Sequence, residues 1–195
     1  MVVSPPAHIP RDLKVTDEQF LQFVKANPDL RMELTANREL IVMAPAGSES
    51  GNFNAELTTD LSVWNRQTRL GVAFDSSTGF RLPNGAIRAP DSAWIIRARW
   101  EALTPQQRKG FAPICPDFVL ELASESDKIE DLRAKMQEYI DNGCRLGWLI
   151  DPRSQQVEIY RPGQPTEVLQ SPAALSGETV LPGFILNLQT IFRTF

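Results

Sequence analysis

Histidine and cysteine, the usual nitrogen and sulfur ligands of zinc, are scarce in this sequence. Its 195 residues include one histidine, His8, and two cysteines, Cys115 and Cys144. So few residues support neither a disulfide framework nor a zinc site of closely spaced ligands. A histidine general base would have to be His8, which lies among prolines in the first ten residues. The sequence therefore favours chemistry carried by carboxylates, lysine or a cation bound through oxygen.

Long hydrophobic runs are also missing. No stretch of about 18 apolar residues, the length that a membrane span requires, occurs in the sequence. The first residues have no apolar segment after a basic start, whereas a secretory signal would have one. We therefore expect a cytoplasmic protein, and the low cysteine content agrees with a reducing compartment.

Length and composition indicate one folded domain. Hydrophobic residues make up 42% of the chain and charged residues 23%, which is ordinary for a compact domain. No internal repeat or low-complexity linker divides the chain. We predict a flexible leader over residues 1–14 and a single domain over residues 15–195.

Acidic and basic residues are unevenly distributed along the chain. The formal net charge is −4, yet residues 61–112 contain eight basic and only three acidic side chains. The basic side chains of this middle region could contact phosphate groups; they are Arg66, Arg69, Arg81, Arg88, Arg97, Arg99, Arg108 and Lys109. A solvated protein surface explains the same pattern at least as well.

Hydrophobic periodicity predicts a mixed α/β fold. Helical spacing predicts longer helices over residues 16–27, 52–69 and 126–142, and Thr104-Pro105 predicts a further helix start. Apolar runs bounded by turn residues predict strands over residues 31–34, 39–44, 72–74, 80–82, 93–96, 118–123, 147–150 and 157–160. The second helix has an apolar stripe formed by Phe53, Leu57, Leu61 and Trp64.

One acidic residue interrupts the most hydrophobic predicted strand, residues 118–123. The two-residue period of a strand places Glu121 on the same face as Val119 and Ala123. A carboxylate in this position loses its hydration, so it needs a cation or hydrogen-bond donors close by. From this strand alone, a salt bridge to Lys135 or to an arginine is as well supported as a metal site.

Several short motifs resemble a known family by their order and spacing. Pro90-Asp91 opens one strand, and Glu121 follows thirty residues after this aspartate. The motifs that follow are Ser124-Glu125-Ser126-Asp127, Lys135 with Tyr139, Asn142-Gly143, Gly147-Trp148-Leu149-Ile150-Asp151-Pro152, and Leu181-Pro182-Gly183-Phe184. Together they resemble the bacterial Uma-type family of restriction endonucleases, in the PD-(D/E)xK nuclease superfamily. The resemblance covers nearly the whole chain after the leader.

The resemblance implies a restriction-endonuclease-like α/β fold, with a mixed central sheet flanked by helices. It also implies hydrolysis of DNA that depends on Mg²⁺ or Mn²⁺. Asp91 and Glu121 match the metal-binding carboxylates of the family, and Glu56 matches the acidic residue of the preceding helix. The Leu122 carbonyl is a further expected ligand. Such an oxygen-only ligand set suits Mg²⁺ or Mn²⁺.

Two positions depart from the pattern of the family or its superfamily. Ala123 replaces the superfamily's lysine two residues after the acid, and Lys135 on the following helix matches the position to which this family's lysine has moved. Lys135 lies at the border of the apolar stripe of that helix, so its long side chain could reach Glu121. Asn52 stands where relatives often have a histidine, and this change removes no metal ligand.

Three functions remain open at this point. The first is a metal-dependent endodeoxyribonuclease in which carboxylates hold Mg²⁺ and Lys135 orients the nucleophile or stabilises the transition state. The second is a noncatalytic nucleic-acid-binding or assembly module that keeps the fold and uses the same residues as an internal ion-pair network. The third, a glycosidase with paired carboxylates, is disfavoured by the resemblance. We also expect a homodimer, because cutting both strands of a duplex usually takes two active sites.

Overall fold

A computed structural model of the chain describes residues 13–192. Residues 1–12, which include most of the predicted leader with His8, lie outside the described range, as do residues 193–195. The helices are α1 (Asp17–Ala26), α2 (Ser48–Thr68), α3 (Arg97–Glu101), α4 (Pro105–Lys109), α5 (Ile129–Asp141) and α6 (Gln189–Phe192). Within the described range, no helix is long and apolar enough to cross a membrane.

Twelve short strands are found in the described part of the chain. They are β1 (Arg31–Leu34), β2 (Leu40–Met43), β3 (Gly71–Asp75), β4 (Phe80–Arg81), β5 (Ile87–Arg88), β6 (Ser92–Ile96), β7 (Phe118–Leu122), β8 (Leu146–Asp151), β9 (Gln156–Tyr160), β10 (Glu167–Gln170), β11 (Ala174–Ser176) and β12 (Ile185–Asn187). All eight predicted strands are present within one or two residues at their ends. The short strands β5, β10, β11 and β12 carry too little hydrophobic pattern to be predicted from the sequence.

The central sheet has six strands in the order β10-β9-β8-β7-β6-β3. It is mixed, because β7 and β8 run parallel while the other neighbouring pairs run antiparallel. Helix α5 makes the crossover that a parallel pair requires. All five residues of β7 are buried, which agrees with the near-continuous apolar run that predicted a central strand.

A second sheet lies in the N-terminal half of the chain, with the strand order β2-β1-β5-β4. Strands β1 and β2 form the predicted hairpin, with Leu34 paired to Leu40. Strand β5 pairs with the other edge of β1. This pairing brings Arg88 of β5 beside Glu33 of β1. Strands β11 and β12 form a separate pair near the C-terminus.

The two faces of the central sheet are covered by different helices. On one face, the α2 stripe of Phe53, Leu57, Leu61 and Trp64 joins Phe118, Leu120 and Leu122 in one core. On the other face, α5 contributes Met136 and Tyr139 to a core that includes Val119. The predicted alternation of β7 is thus confirmed, and it places Glu121 on the α5 side.

Two predicted helix starts differ from the structure. Helix α5 begins at Ile129 rather than at residue 126, because the Asp127 carboxylate caps the preceding turn and accepts hydrogen bonds from the backbone and side chain of Ser124. Helix α2 begins four residues earlier than predicted, at Ser48. Its first turn closes through the Gly51 N–H and the Gly47 carbonyl, although glycine is a poor helix former.

Replacing Leu61 tests the packing of α2 on the central sheet. Leu61 is 1% exposed in the core, whereas Val63 on the same helix is 43% exposed. We expect L61A to lower the free energy of unfolding by about 2–5 kcal/mol and V63A to change it by about 0.5 kcal/mol or less. Urea denaturation measures both values. Equal losses for the two variants would contradict the described rotation of α2.

Candidate active site

The ammonium group of Lys135 lies at the centre of a buried cluster of charged side chains. Its Nζ atom is 2.8 Å from Glu121 Oε1 and 2.8 Å from Glu33 Oε1. The Ala89 carbonyl accepts a third, longer hydrogen bond of 3.4 Å. Because an ammonium group has three N–H donors, every donor of Lys135 has an acceptor.

Helix α5 positions Lys135 over the face of β7 that carries Glu121. The neighbouring residues Met136 and Tyr139 are buried against the sheet, so the rotation of the helix is fixed by packing. The Tyr139 hydroxyl donates a hydrogen bond to Glu121 Oε1 at 3.2 Å. Glu121 therefore receives hydrogen bonds from two side chains of one helix.

Glu33 belongs to this cluster, although no sequence motif indicates it. It is only 3% exposed, and its Oε1 atom accepts the Ala89 N–H at 2.9 Å. Arg88 Nη1 donates to its other oxygen at 3.0 Å, and Arg88 Nε pairs with Glu138. The pattern Met32-Glu33-Leu34 is typical of a strand whose glutamate faces water. The sequence therefore gives no signal that a second element covers this face.

Asp91 lies directly before β6, at the point where the antiparallel neighbour β7 ends. Its Oδ2 atom accepts a hydrogen bond from the Leu122 N–H at 2.9 Å. The backbone of Leu122, whose carbonyl is an expected metal ligand, therefore lies beside the Asp91 carboxylate. Its Oδ1 atom is 3.3 Å from Asn54 Nδ2 and 3.8 Å from the guanidinium of Arg31. The structure thus brings Asp91 to the strand end that also carries Glu121.

Glu56 is on α2, as expected, but its side chain is exposed. Among the described contacts, no hydrogen bond or ion pair joins it to Asp91, Glu121 or Lys135. Burial together with the nearby charge of Glu56 raises the pKa of Asp60, one turn along α2. The metal-binding role of Glu56 stays a prediction, and Asn54 is the α2 residue that reaches Asp91.

The charges of the cluster are unevenly compensated. Burial raises the pKa of Glu121 to about 8; the charge of Lys135 opposes this shift, while Asp91 and Glu33 add to it. Burial also raises the pKa of Asp91. Although burial acts on Glu33 in the same direction, Lys135 and Arg88 outweigh it and lower the pKa of Glu33. The positive charge near Asp91 and Glu121 therefore offsets only part of the cost of burying these two carboxylates.

The pKa of Lys135 shows the opposite balance. Burial by itself would lower the pKa of its ammonium group. The charges of Glu121 and Glu33 outweigh burial and raise this pKa above its ordinary value. Lys135 is therefore positively charged at neutral pH, as a group that stabilises an anion must be.

The oxygen donors of Asp91 and Glu121 fit a cation such as Mg²⁺. Proteins usually hold Mg²⁺ through one or two carboxylates, and the ion keeps several water ligands. Across residues 13–192, no group of three or more His, Cys, Asp or Glu side chains is arranged to hold a metal ion. The side-chain oxygen of Asn54 is buried and has no hydrogen-bond partner, so an unused acceptor remains beside Asp91.

Most of the basic side chains of the middle region are held in internal contacts. Five of the eight predicted phosphate-binding residues pair with carboxylates or with backbone carbonyls. These are Arg81, Arg88, Arg97, Arg99 and Arg108. For these five residues, the excess of basic charge reflects internal pairing rather than a free phosphate-binding face.

Comparison with known proteins identifies the fold class of this chain, which is a restriction-endonuclease-like α/β fold. A crystal structure of a "putative nuclease belonging to DUF820 from Anabaena variabilis ATCC 29413" is similar, with 22% identity and a TM-score of 0.75. The similarity covers 91% of this chain and 97% of that chain. It shows that the predicted fold class is correct. None of the curated proteins matches this sequence.

The chain belongs to the Uma2 family. The profile of that family, described as "Putative restriction endonuclease", matches residues 17–189. This match confirms the resemblance found in the sequence motifs. Membership of the family, together with the nuclease-like fold, supports a nuclease function for the protein.

The raised pKa of Glu121 predicts how stability depends on pH. Its pKa is about 8 in the folded chain and 4.5 ordinarily, so the unfolded chain loses its proton first as the pH rises. The stability that protonated Glu121 contributes is complete below about pH 4.5 and lost above about pH 8. In a metal chelator, wild type should therefore lose stability relative to E121Q across this window, by up to about 1.4 kcal/mol per pH unit.

The variant E33Q is the matched control for this effect. Because the pKa of Glu33 is lowered, its stabilising contribution is present at higher pH and is lost as the pH falls through and below 4.5. Urea denaturation at a series of pH values measures both variants against wild type. If the stability difference from wild type changed with pH in the same direction for E121Q and E33Q, this result would contradict the described charge balance.

Proposed function

We propose that this protein is a metal-dependent endonuclease that hydrolyses phosphodiester bonds of DNA. The observation that carries the proposal is the convergence of Asp91, Glu121 and Lys135. These residues come from three separate elements and meet in one cluster, with Lys135 Nζ 2.8 Å from Glu121 and the Leu122 N–H 2.9 Å from Asp91. Membership of the family described as "Putative restriction endonuclease" supports the same function.

The proposed cofactor is Mg²⁺ or Mn²⁺. Asp91, Glu121 and the Leu122 carbonyl would hold it, and water molecules would supply its other ligands. When bound, the ion supplies an acidified water molecule and positive charge beside the scissile phosphate. The incomplete compensation of Asp91 and Glu121 supports this assignment, since a further cation would reduce the repulsion between these two carboxylates.

Lys135 is the proposed catalytic lysine. The Ala89 carbonyl, Glu33 and Glu121 hold its ammonium group in place, so little reorganisation is needed when a negative charge develops nearby. Arg88 neutralises the second oxygen of Glu33, so Glu33 compensates only part of the charge of Lys135. Lys135 would orient the attacking water or stabilise the pentacovalent phosphate.

A noncatalytic nucleic-acid-binding or assembly module is the second candidate. The completed hydrogen bonding of Lys135 favours it, as does the absence of a three-ligand metal group across residues 13–192. In this case the cluster would serve stability alone. Titration calorimetry with MnCl₂ distinguishes the two, because only the nuclease requires saturable binding of a divalent cation.

Cleavage of plasmid DNA tests the proposed nuclease. With MgCl₂ or MnCl₂, the purified protein should cleave plasmid DNA, and a chelator should abolish cleavage. We expect D91N to lower the rate by about 100-fold or more, because it removes a charged metal ligand. K135M should lower the rate by about 100- to 1,000-fold, because it removes the positive charge that stabilises the transition state.

The matched control is D131N. Asp131 is an exposed acidic residue of α5, one turn before Lys135. This variant should cleave DNA at the wild-type rate. Circular dichroism checks that every variant is folded. The absence of cleavage by wild type with either metal, or full activity of D91N, would contradict the proposed function.

We further propose that the protein acts as a homodimer in the cytoplasm. A dimer supplies two active sites, and its twofold symmetry matches that of a DNA duplex. Light scattering should give twice the mass of the 21.8 kDa chain, either alone or in a complex with a short duplex. A mass of one chain under both conditions would exclude the dimer.

A further inference from the structure

Helix α2 presents a row of polar side chains to the start of β6. The Thr58 and Ser92 hydroxyl oxygens are 2.7 Å apart, and Asn65 Oδ1 accepts a hydrogen bond from Trp94 Nε1 at 2.8 Å. Together with the apolar stripe, these contacts fix the rotation of α2 about its axis. Asn54 lies one turn before Thr58 on the same side of the helix, so it faces the carboxylate cluster.

The amide of Asn54 is incompletely paired in this position. Its Nδ2 atom donates a long hydrogen bond of 3.3 Å to Asp91 Oδ1. Its Oδ1 atom is buried and has no hydrogen-bond partner. In native proteins, nearly all buried polar atoms are paired, so an exception calls for an explanation. Arg31 is the other side chain that approaches Asp91 Oδ1, and its Nε atom is likewise buried without a hydrogen-bond partner.

Turning the amide by half a rotation does not satisfy Asn54 either. The oxygen and nitrogen of an amide are nearly equal in size and can exchange places in the same volume. In the turned orientation, Oδ1 would lie against Asp91 Oδ1, and the two oxygen atoms would repel each other. An electropositive centre between the two oxygens removes this repulsion. A divalent cation held by Asp91 is such a centre.

We propose that the Asn54 amide turns so that its Oδ1 atom faces Asp91, and that this oxygen is the ligand that α2 supplies to the divalent cation held by Asp91 and Glu121. The inference rests on the proposed function, because it presupposes that these carboxylates bind a metal ion. An amide oxygen ligates Mg²⁺ or Mn²⁺ without adding charge. This neutrality suits a cluster in which Glu33, Glu121 and Asp91 already lie close together.

The position of Glu56 supports the choice of Asn54. Two residues along a helix rotate the side chain to nearly the opposite side, and Glu56 is exposed. A charged ligand from α2 would also add a further carboxylate to a cluster that already contains Glu33, Asp91 and Glu121. Asn54 thus combines the required position with the required charge.

Titration calorimetry with MnCl₂ and thermal unfolding in a chelator test the proposal together. N54A should weaken Mn²⁺ binding by about 10-fold or more. It should leave the Tm of the metal-free protein nearly unchanged, because removing an unpaired buried acceptor and introducing a better helix former offset the loss of the long hydrogen bond to Asp91. N54D keeps an oxygen at the same position, so it should bind Mn²⁺ more tightly than N54A, while its added negative charge should lower the Tm of the metal-free protein. A residue with a purely structural role would instead lower Tm and leave binding unchanged.

N65A is the matched control on the same helix. It removes a satisfied hydrogen bond to Trp94, so it should lower the Tm of the metal-free protein. Asn65 pairs with Trp94 rather than with Asp91, so Mn²⁺ affinity should stay at the wild-type value. Opposite effects of N54A and N65A on the two measurements are therefore the expected result.

Three results would overturn the proposal, and they have different meanings. Wild-type affinity of N54A, with binding abolished in D91N, would exclude Asn54 while leaving the proposed metal site intact. Weakened binding in E56Q but not in N54A would show that α2 acts through Glu56. If wild type binds no Mn²⁺, both this inference and the proposed metal dependence fail.

Discussion

The ammonium group of Lys135 links three parts of the molecule. Lys135 belongs to α5, and its ammonium group contacts Glu33 on the four-stranded sheet and Glu121 on the central sheet. Each of these carboxylates would be costly to bury without a cation, because the interior solvates charge poorly. Arg88 adds a second cation through the other oxygen of Glu33. The ion pairs therefore specify how the two sheets and the helix fit together, and they position the lysine of the candidate active site.

The cluster is divided into two ends with different electrostatic character. Around Glu33, two cations outweigh burial and lower the pKa of the carboxyl group. Around Asp91 and Glu121, burial outweighs the cations and raises both pKa values. The first end holds Lys135 in place, whereas the second contains the two carboxylates that are proposed to hold a metal ion. A metal ion held there, beside the fixed Lys135, would complete the groups proposed for phosphodiester hydrolysis.

Most of the fold could be predicted because its signals are local. The apolar run 118–123 predicts β7, and the helical stripe of α2 predicts its buried face. The errors arise where a side chain acts outside the pattern. Asp127 caps a turn rather than a helix, which moves the start of α5. Glu33 has the sequence context of a solvent-facing strand residue. Only the tertiary structure shows that it is buried beside Lys135 of α5.

By itself, the sequence determined the alternation of β7, the crossover helix that follows it, and the family to which the chain belongs. It also favoured chemistry of carboxylates and lysine, since the chain has one histidine and two cysteines. Only the tertiary structure decided which polar groups meet. Antiparallel pairing of β6 with β7 brings Asp91 to the end of the strand that carries Glu121, and the rotation of α2 turns Asn54 rather than Glu56 toward them. Such contacts depend on the packing of distant segments, and periodicity within one segment cannot encode them.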